Sequence, residues 1–282
     1  MGKGILLLTI LWMWGLFFAP HPVVAETPSR DTVFTDRGVP QTDGARINPY
    51  RFAVFSGVTI GLSAYGIDQF QEIWGHSTGK FHFKEHDWNG DNLAQSDEVS
   101  HLVLGYKATQ LGINFARWTG MSEGLSRAIG AGISAFYMTL VEYPIDAYNP
   151  CQGLGISDLV FDYAGVGFGL LRDRYSFLRP YDMKIELKDV RKVPKKFFSQ
   201  SNLEYDYYIY WLTYSPYFGD VPLNLGIGYS TDHSDWRNVK RELWLGVGTS
   251  VTDIGYLFGT RWGQRLDMWG LLEFSLRVQV LR

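Results

Sequence analysis

Ser96-Asp97-Glu98-Val99-Ser100-His101-Leu102-Val103-Leu104-Gly105-Tyr106-Lys107-Ala108-Thr109-Gln110-Leu111-Gly112 is the stretch on which the reading of this chain turns. Asp97 and His101 stand one helical turn apart, and Gly105, Ala108 and Gly112 continue the same face. Two further stretches repeat the pattern. Asp158 and Asp162 are followed by Gly165 and Gly169, and Glu142 is preceded by Met138, Ala135, Ala131 and Ala128. Small residues let helix backbones approach closely. The polar heads of the three stripes are therefore expected to be carried into the centre of a helical bundle, where an ionised group is costly unless paired or bound.

Around this centre the chain divides by composition. Lys3, the apolar run Ile5 to Phe18 and the small residues Val23-Val24-Ala25 read as a secretory signal over 1–25, cleaved after Ala25. The apolar run is shorter than the roughly 20 residues of a membrane span, which counts against an uncleaved anchor. Residues 26–50 are polar, lack periodicity and read as a flexible leader. Residues 51–178 read as a compact bundle of about four helices. They begin with an apolar segment from Phe52 to about Phe70, whose own stripe of Gly57, Gly61 and Ala64 ends at Asp68. Ser96 and Ser157 are expected to cap the second and fourth helices, and the third to run from about Ser122 until Pro144 disturbs it.

Residues 179–282 read as a basic linker and a small antiparallel sheet. Leu272 to Val280 alternates apolar and polar without a break, as a half-buried strand does, and Leu223 to Tyr229, Leu243 to Thr249 and Tyr205 to Tyr214 add further strands. Four or five strands are fewer than the eight or so of a membrane barrel. The expected fold class is α+β.

Net charge is −3 and no basic patch interleaves with aromatics, so nucleic acid is not an expected partner. High aromatic content (16%) and 31 glycines suit an envelope or membrane-adjacent protein. The single cysteine, Cys151, allows no intramolecular disulfide and reads as a loop residue. There is no nucleophile elbow, phosphate-binding glycine loop, His-Glu-x-x-His helix or cysteine pair.

Capping of a helix dipole is a sufficient account of Asp97, Glu98 and Asp158 taken alone. It does not explain Glu142, in a last turn where negative charge opposes the dipole, or Asp162, in mid-helix. The economical expectation is one cluster of Asp97, His101, Glu142, Asp146, Asp158 and Asp162. Such a set can hold a divalent metal ion through mixed N/O ligation, and His101, Glu142 and Asp158 are then the candidate catalytic residues of metal-assisted hydrolysis. A structural hydrogen-bond network and headgroup binding stand beside that reading. His82, Glu85 and His86 are a second candidate contribution.

These residues carry a resemblance. Trp74, Phe81-His82-Phe83, Asp87-Trp88 and Asp97-Glu98-x-x-His101 with Tyr106, then Glu142 with Asp146 and Ser157-Asp158 with Asp162, resemble the YfiM-like family of predicted periplasmic lipoproteins, a domain family without an assigned function. Tyr210-Trp211-Leu212, Leu225 to Tyr229 and Arg241 to Ile254 are similar to its C-terminal part, so the likeness covers most of residues 50–255. Glu98 stands where the family has Lys, Asp162 where it has Asn, and no lipid-bearing cysteine follows the leader. The order Asp-x-x-x-His, Glu, Asp-x-x-x-Asp is also similar to VanZ-like membrane proteins, which implies a membrane-associated helical bundle. The resulting expectation is an exported protein at the periplasmic face of a bacterial envelope. Its partner would be a membrane lipid or another envelope component, and its cluster organises the bundle or binds a headgroup or cation. The alternative is a metal-dependent hydrolase of a lipid or phosphorylated envelope substrate.

Overall fold

The computed structural model describes residues 46–74, 76–88, 93–189, 202–216, 222–235, 237–259 and 270–281, with 262, 263 and 266. The expected signal segment 1–25, most of the leader 26–50 and residues 190–201 of the basic linker lie outside the described residues. The chain divides between Arg37 and Gly38, and every described residue belongs to the second unit. Helix α1 runs Pro49–Trp74, α2 Ser96–Trp118, α3 Glu123–Leu140 and α4 Ile156–Arg174. Strands follow at Tyr181–Leu187 (β1), Tyr208–Tyr214 (β2), Asn224–Asp232 (β3) and Lys240–Ser250 (β4), then the short helix α5, Val251–Leu257, and β5, Glu273–Leu281. The fold is α+β.

Helices α2, α3 and α4 pack on one another through the small-residue stripes. A Cβ placed on Gly165 would lie 2.1 Å from the Leu102 carbonyl oxygen, and one on Gly130 would lie 2.3 Å from the Ile113 nitrogen. At these crossings helix backbones touch, which only glycine permits. Ser134 adds a hydrogen bond across the contact, donating to the Gly105 carbonyl at 3.1 Å.

The fourth stripe behaves otherwise. No atom lies within 4 Å of a Cβ built at Gly57 or Gly61. Helix α1 instead packs through Arg51, Phe55 and Ser63, which share a different face. The Phe55 ring meets Phe115 edge-on at 5.3 Å, Arg51 donates to the Trp118 carbonyl at 3.2 Å, and Ser63 hydrogen-bonds Tyr137 Oη. Phe52, Ile60, Leu62 and Tyr65 are left exposed.

Two helix starts also differ from expectation. Ser96 is the first helical residue and donates to the Leu93 carbonyl, while Gln95 holds the cap position in a left-handed conformation (φ 63°). Ser157 lies inside α4, after the cap residue Gly155. Helix α3 begins where expected, with Ser122 as its cap, accepting from the Leu125 N–H.

The sheet is an antiparallel meander in the order β1-β2-β3-β4-β5. Its register aligns Met183, Leu212, Ile227, Leu245 and Val278 on one face, and Asp182, Thr213, Gly226, Gly246 and Arg277 on the other. The half-buried reading of these strands expects the apolar face inward. The structure reverses it: Ile227 is 60% exposed, Val278 67% and Leu276 87%, while Asp182, Lys184, Glu186, Trp211 and Glu273 are buried. The polar face is the packed one because Trp211 fills it. Cβ atoms on Gly226 and Gly246 would lie 2.7 and 2.8 Å from the Trp211 ring, so the glycines leave space for the indole. Charges around the indole are paired. Trp211 Nε1 donates to Glu186 at 2.9 Å, and Lys184 Nζ reaches Asp253 at 3.0 Å and Glu273 at 3.2 Å.

Unfolding measurements check the helix packing. Gly165→Ala is expected to destabilise by about 1–3 kcal/mol through overpacking. Gly61→Ala is expected to stabilise by roughly 0.5–1 kcal/mol, since nothing opposes the helix-propensity gain.

Candidate cation site

The polar heads converge. Asp97 and His101 lie in the first two turns of α2, and Asp158 and Asp162 in the first two turns of α4. Glu142 sits in the π-helical turn Val141–Ile145 that continues α3. Tyr143, forced out of helical angles by Pro144, is extended (φ −142°, ψ 118°) and turns the chain there. Glu142 Oε2 accepts from the Gly155 N–H at 3.1 Å, which ties this turn to the start of α4.

His101 is the hub. Its Nδ1 lies 3.0 Å from Asp162 Oδ1 and 4.0 Å from Glu142 Oε1, and its Nε2 lies 3.6 Å from Asp97 Oδ1. Lys84 bridges the other side, with Nζ at 2.9 Å from Asp97 Oδ2 and 3.0 Å from Asp158 Oδ2. Tyr205, from the turn before β2, donates its hydroxyl to Asp97 Oδ1. Two overlapping triads share the imidazole: Asp97, His101 and Asp158, and His101, Glu142 and Asp162. In each, one ligand atom per residue lies within 4.8 Å of the others. Asp146 falls outside both triads, although His101, Asp97 and Asp158 act on it electrostatically.

Five carboxylates thus face two cationic groups, Lys84 and His101. Asp158 and Asp162 are buried at 3% and 0% exposure, and Asp158 Oδ1 and Asp162 Oδ2 accept no hydrogen bond. Burial pushes Glu142 up to about 8 and Asp146 up to about 7. Burial, with Asp97 nearby, raises Asp158 as well. Burial opposes charge on His101, yet the Asp162 hydrogen bond and the Asp97 charge raise it well above the ordinary imidazole value. Burial also works against ionised Asp97, but His101 and Lys84 hold it below the usual carboxylate range.

Several residues here escaped the sequence reading. Lys84 lies inside the aromatic stretch 81–88, and its neighbours Glu85 and His86 are exposed. The expected contribution of His82, Glu85 and His86 is therefore replaced by the lysine among them. His82 turns to the Lys80 carbonyl instead. Lys84 enters because the backbone on either side bonds to the turn before α4: Lys84 N–H donates to the Leu154 carbonyl, and Leu154 N–H to His82. Asp87 caps α4 from a distance, its Oδ2 accepting from the N–H groups of Ile156 and Ser157 at 2.9 and 3.0 Å. That is the role expected of Ser157, whose hydroxyl donates to Asp87 instead. Cys151 is a free, exposed turn residue.

The raised carboxyls set a pH dependence. Between 4.5, the ordinary value of Glu142, and about 8, the folded chain binds a proton at Glu142 that the unfolded chain does not. Asp146 acts in the same sense up to about 7, and His101 above 6.5. Stability of the metal-free chain is therefore expected to fall as pH rises from 5 to 8. Asp97 acts in the opposite sense, only at more acid pH. Melting temperatures recorded with a chelator across that range should decline, and Glu142→Gln should flatten the slope.

Comparison of the chain with protein-family models, with curated proteins and with solved structures gave no match in any of the three.

Proposed function

We propose that this chain is an exported cell-envelope protein whose buried Asp/His/Glu cluster binds a divalent cation and so organises the helices around it. The observation that carries this reading is the pair of triads sharing His101, together with buried oxygens of Asp158 and Asp162 that no donor satisfies. A mixed set of one imidazole and several carboxylates suits Mn²⁺ or Zn²⁺. Lys84 already pairs with Asp97 and Asp158, so the more deeply buried triad of His101, Glu142 and Asp162 is the one a cation would serve. Binding there would displace the proton that burial holds on Glu142 and the one that Asp162 and Asp97 hold on His101.

The bundle of about four helices belongs to this proposal, with α1 as the outlying member that reaches α2 through Phe55 and α3 through Ser63. Export and a periplasmic location rest on the leader sequence 1–25. Likeness to the YfiM-like and VanZ-like families supports the envelope assignment through Asp97, His101, Glu142, Asp158 and Asp162. A lipid headgroup is the partner in whose company an envelope cation is met. Glu123–Tyr148 is long and apolar enough to cross a membrane, with 22% of its apolar window buried.

Calorimetric titration of the chelator-treated full-length chain with Mn²⁺ or Zn²⁺ tests the reading. We expect one equivalent to bind with proton release, and Asp162→Asn to weaken binding by at least about tenfold while circular dichroism stays unchanged. Absence of stoichiometric binding would leave the cluster as a structural network. Metal-dependent turnover of a phosphoester by the same preparation would move the reading to the hydrolase alternative.

A further inference from the structure

The sheet is turned inside out, and its outer face needs an occupant. Outward positions run Met183 and Ile185 on β1, Leu212 and Tyr214 on β2, Leu225 and Ile227 on β3, Leu243, Leu245 and Val247 on β4, and Phe274, Leu276, Val278 and Val280 on β5. No charged side chain interrupts them. Charges of the same strands are turned inward and paired, as between Arg277 and Glu186, or gathered at one end, as at Lys240 and Arg241. At the opposite end Tyr181 and Tyr214 pack their rings 5.0 Å apart, each 40% exposed. Apolar side chains are exposed on the helices as well, at Leu104, Phe136, Val160 and Leu171.

We infer that this face of the sheet sits against the acyl chains of a lipid bilayer. Water disfavours so large a continuous apolar patch, since soluble monomers rarely expose more than a few hundred Å² of one. Alternation of apolar-out and polar-in with a tyrosine rim is the arrangement hydrocarbon selects, because amphipathic rings settle at the membrane–water boundary. Hydrocarbon also disfavours an open strand edge, and here one backbone hydrogen bond and two side chains tie the β5 segment to β1. The Ile185 N–H donates to the Leu271 carbonyl at 2.7 Å, the Ser275 N–H to Glu186 at 3.2 Å, and Arg277 to the Lys188 carbonyl at 2.6 Å. Within the sheet the Trp211 ring sits against Gly226, Gly228 and Gly246.

A protein partner is a poorer fit. Interfaces between proteins carry a polar rim around an apolar core, whereas this face is apolar across all five strands. The inference rests on the envelope reading only for the source of the lipid, and it is independent of any cation.

Single cysteines placed along β5 of the full-length chain, in a Cys151→Ser background, test it. Each is labelled with an environment-sensitive fluorophore and reconstituted into phosphatidylethanolamine–phosphatidylglycerol vesicles with brominated acyl chains. Labels at 276, 278 and 280 should be quenched several-fold and those at 275, 277 and 279 little, giving a period of two. Co-sedimentation of the unlabelled chain with vesicles should survive an alkaline wash. Uniformly water-exposed labels would overturn the inference. So would a discrete dimer in lipid-free buffer whose outward labels are already shielded, since a second copy would then be the occupant.

Discussion

The hydrogen bond between His101 Nδ1 and Asp162 Oδ1 joins α2 to α4 inside a buried cluster of charge. An ionised group in a medium of low dielectric is tolerated only with a partner, and removing one member of such a pair costs about 3–5 kcal/mol. That constraint explains why so many separate segments meet here. Lys84 comes from the loop before α2, Glu142 from the turn after α3, and Tyr205 from the approach to β2. Lys84 and Tyr205 bring a cation and a hydrogen-bond donor because the centre carries more negative charge than one imidazole offsets, whereas Glu142 is held by the Gly155 N–H.

A second polar interior lies within the sheet, around Lys184, Asp253 and Glu273. The two regions are linked: Tyr106 Oη and Lys107 Nζ, both on α2, donate to Asp182 on β1 at 2.6 and 2.8 Å. A third set of charges joins α2, α3 and α4 at the other end, where Arg117 grips Asp173 and Glu123 and Arg127 reaches the same Asp173. The helices and strands therefore share one principle. Many polar groups face inward beside apolar core residues such as Val103, Ile113 and Ile209, and many large apolar side chains, such as Phe136 and Leu276, face out.

Much of this was legible in the residue spacing. Helical stripes headed by Asp97, Glu142 and Asp158 identify both the helices and the cluster they enclose, because spacing along a helix determines which side chains share a face. The stripe of Gly57 and Gly61 shows where that logic stops, since spacing defines a face without saying whether another helix covers it. Lys84 could not be read from its neighbours; it reaches the cluster through backbone pairing with Leu154, far along the chain. The sheet's polarity was hidden for a related reason. Alternation in Leu272 to Val280 is identical whether the apolar side faces a core or a membrane. Only the Trp211 ring seated over Gly226 and Gly246 shows which side is filled.

Titration of the His101 ring by nitrogen NMR in the metal-free, full-length chain addresses the centre of this account most directly. With Asp162 and Asp97 holding its proton, the imidazole should stay doubly protonated well above the ordinary pKa of about 6.5. It should lose that proton earlier when Asp162 is replaced by Asn. A ring that titrates near 6.5 and is indifferent to Asp162 would contradict the convergence of these side chains.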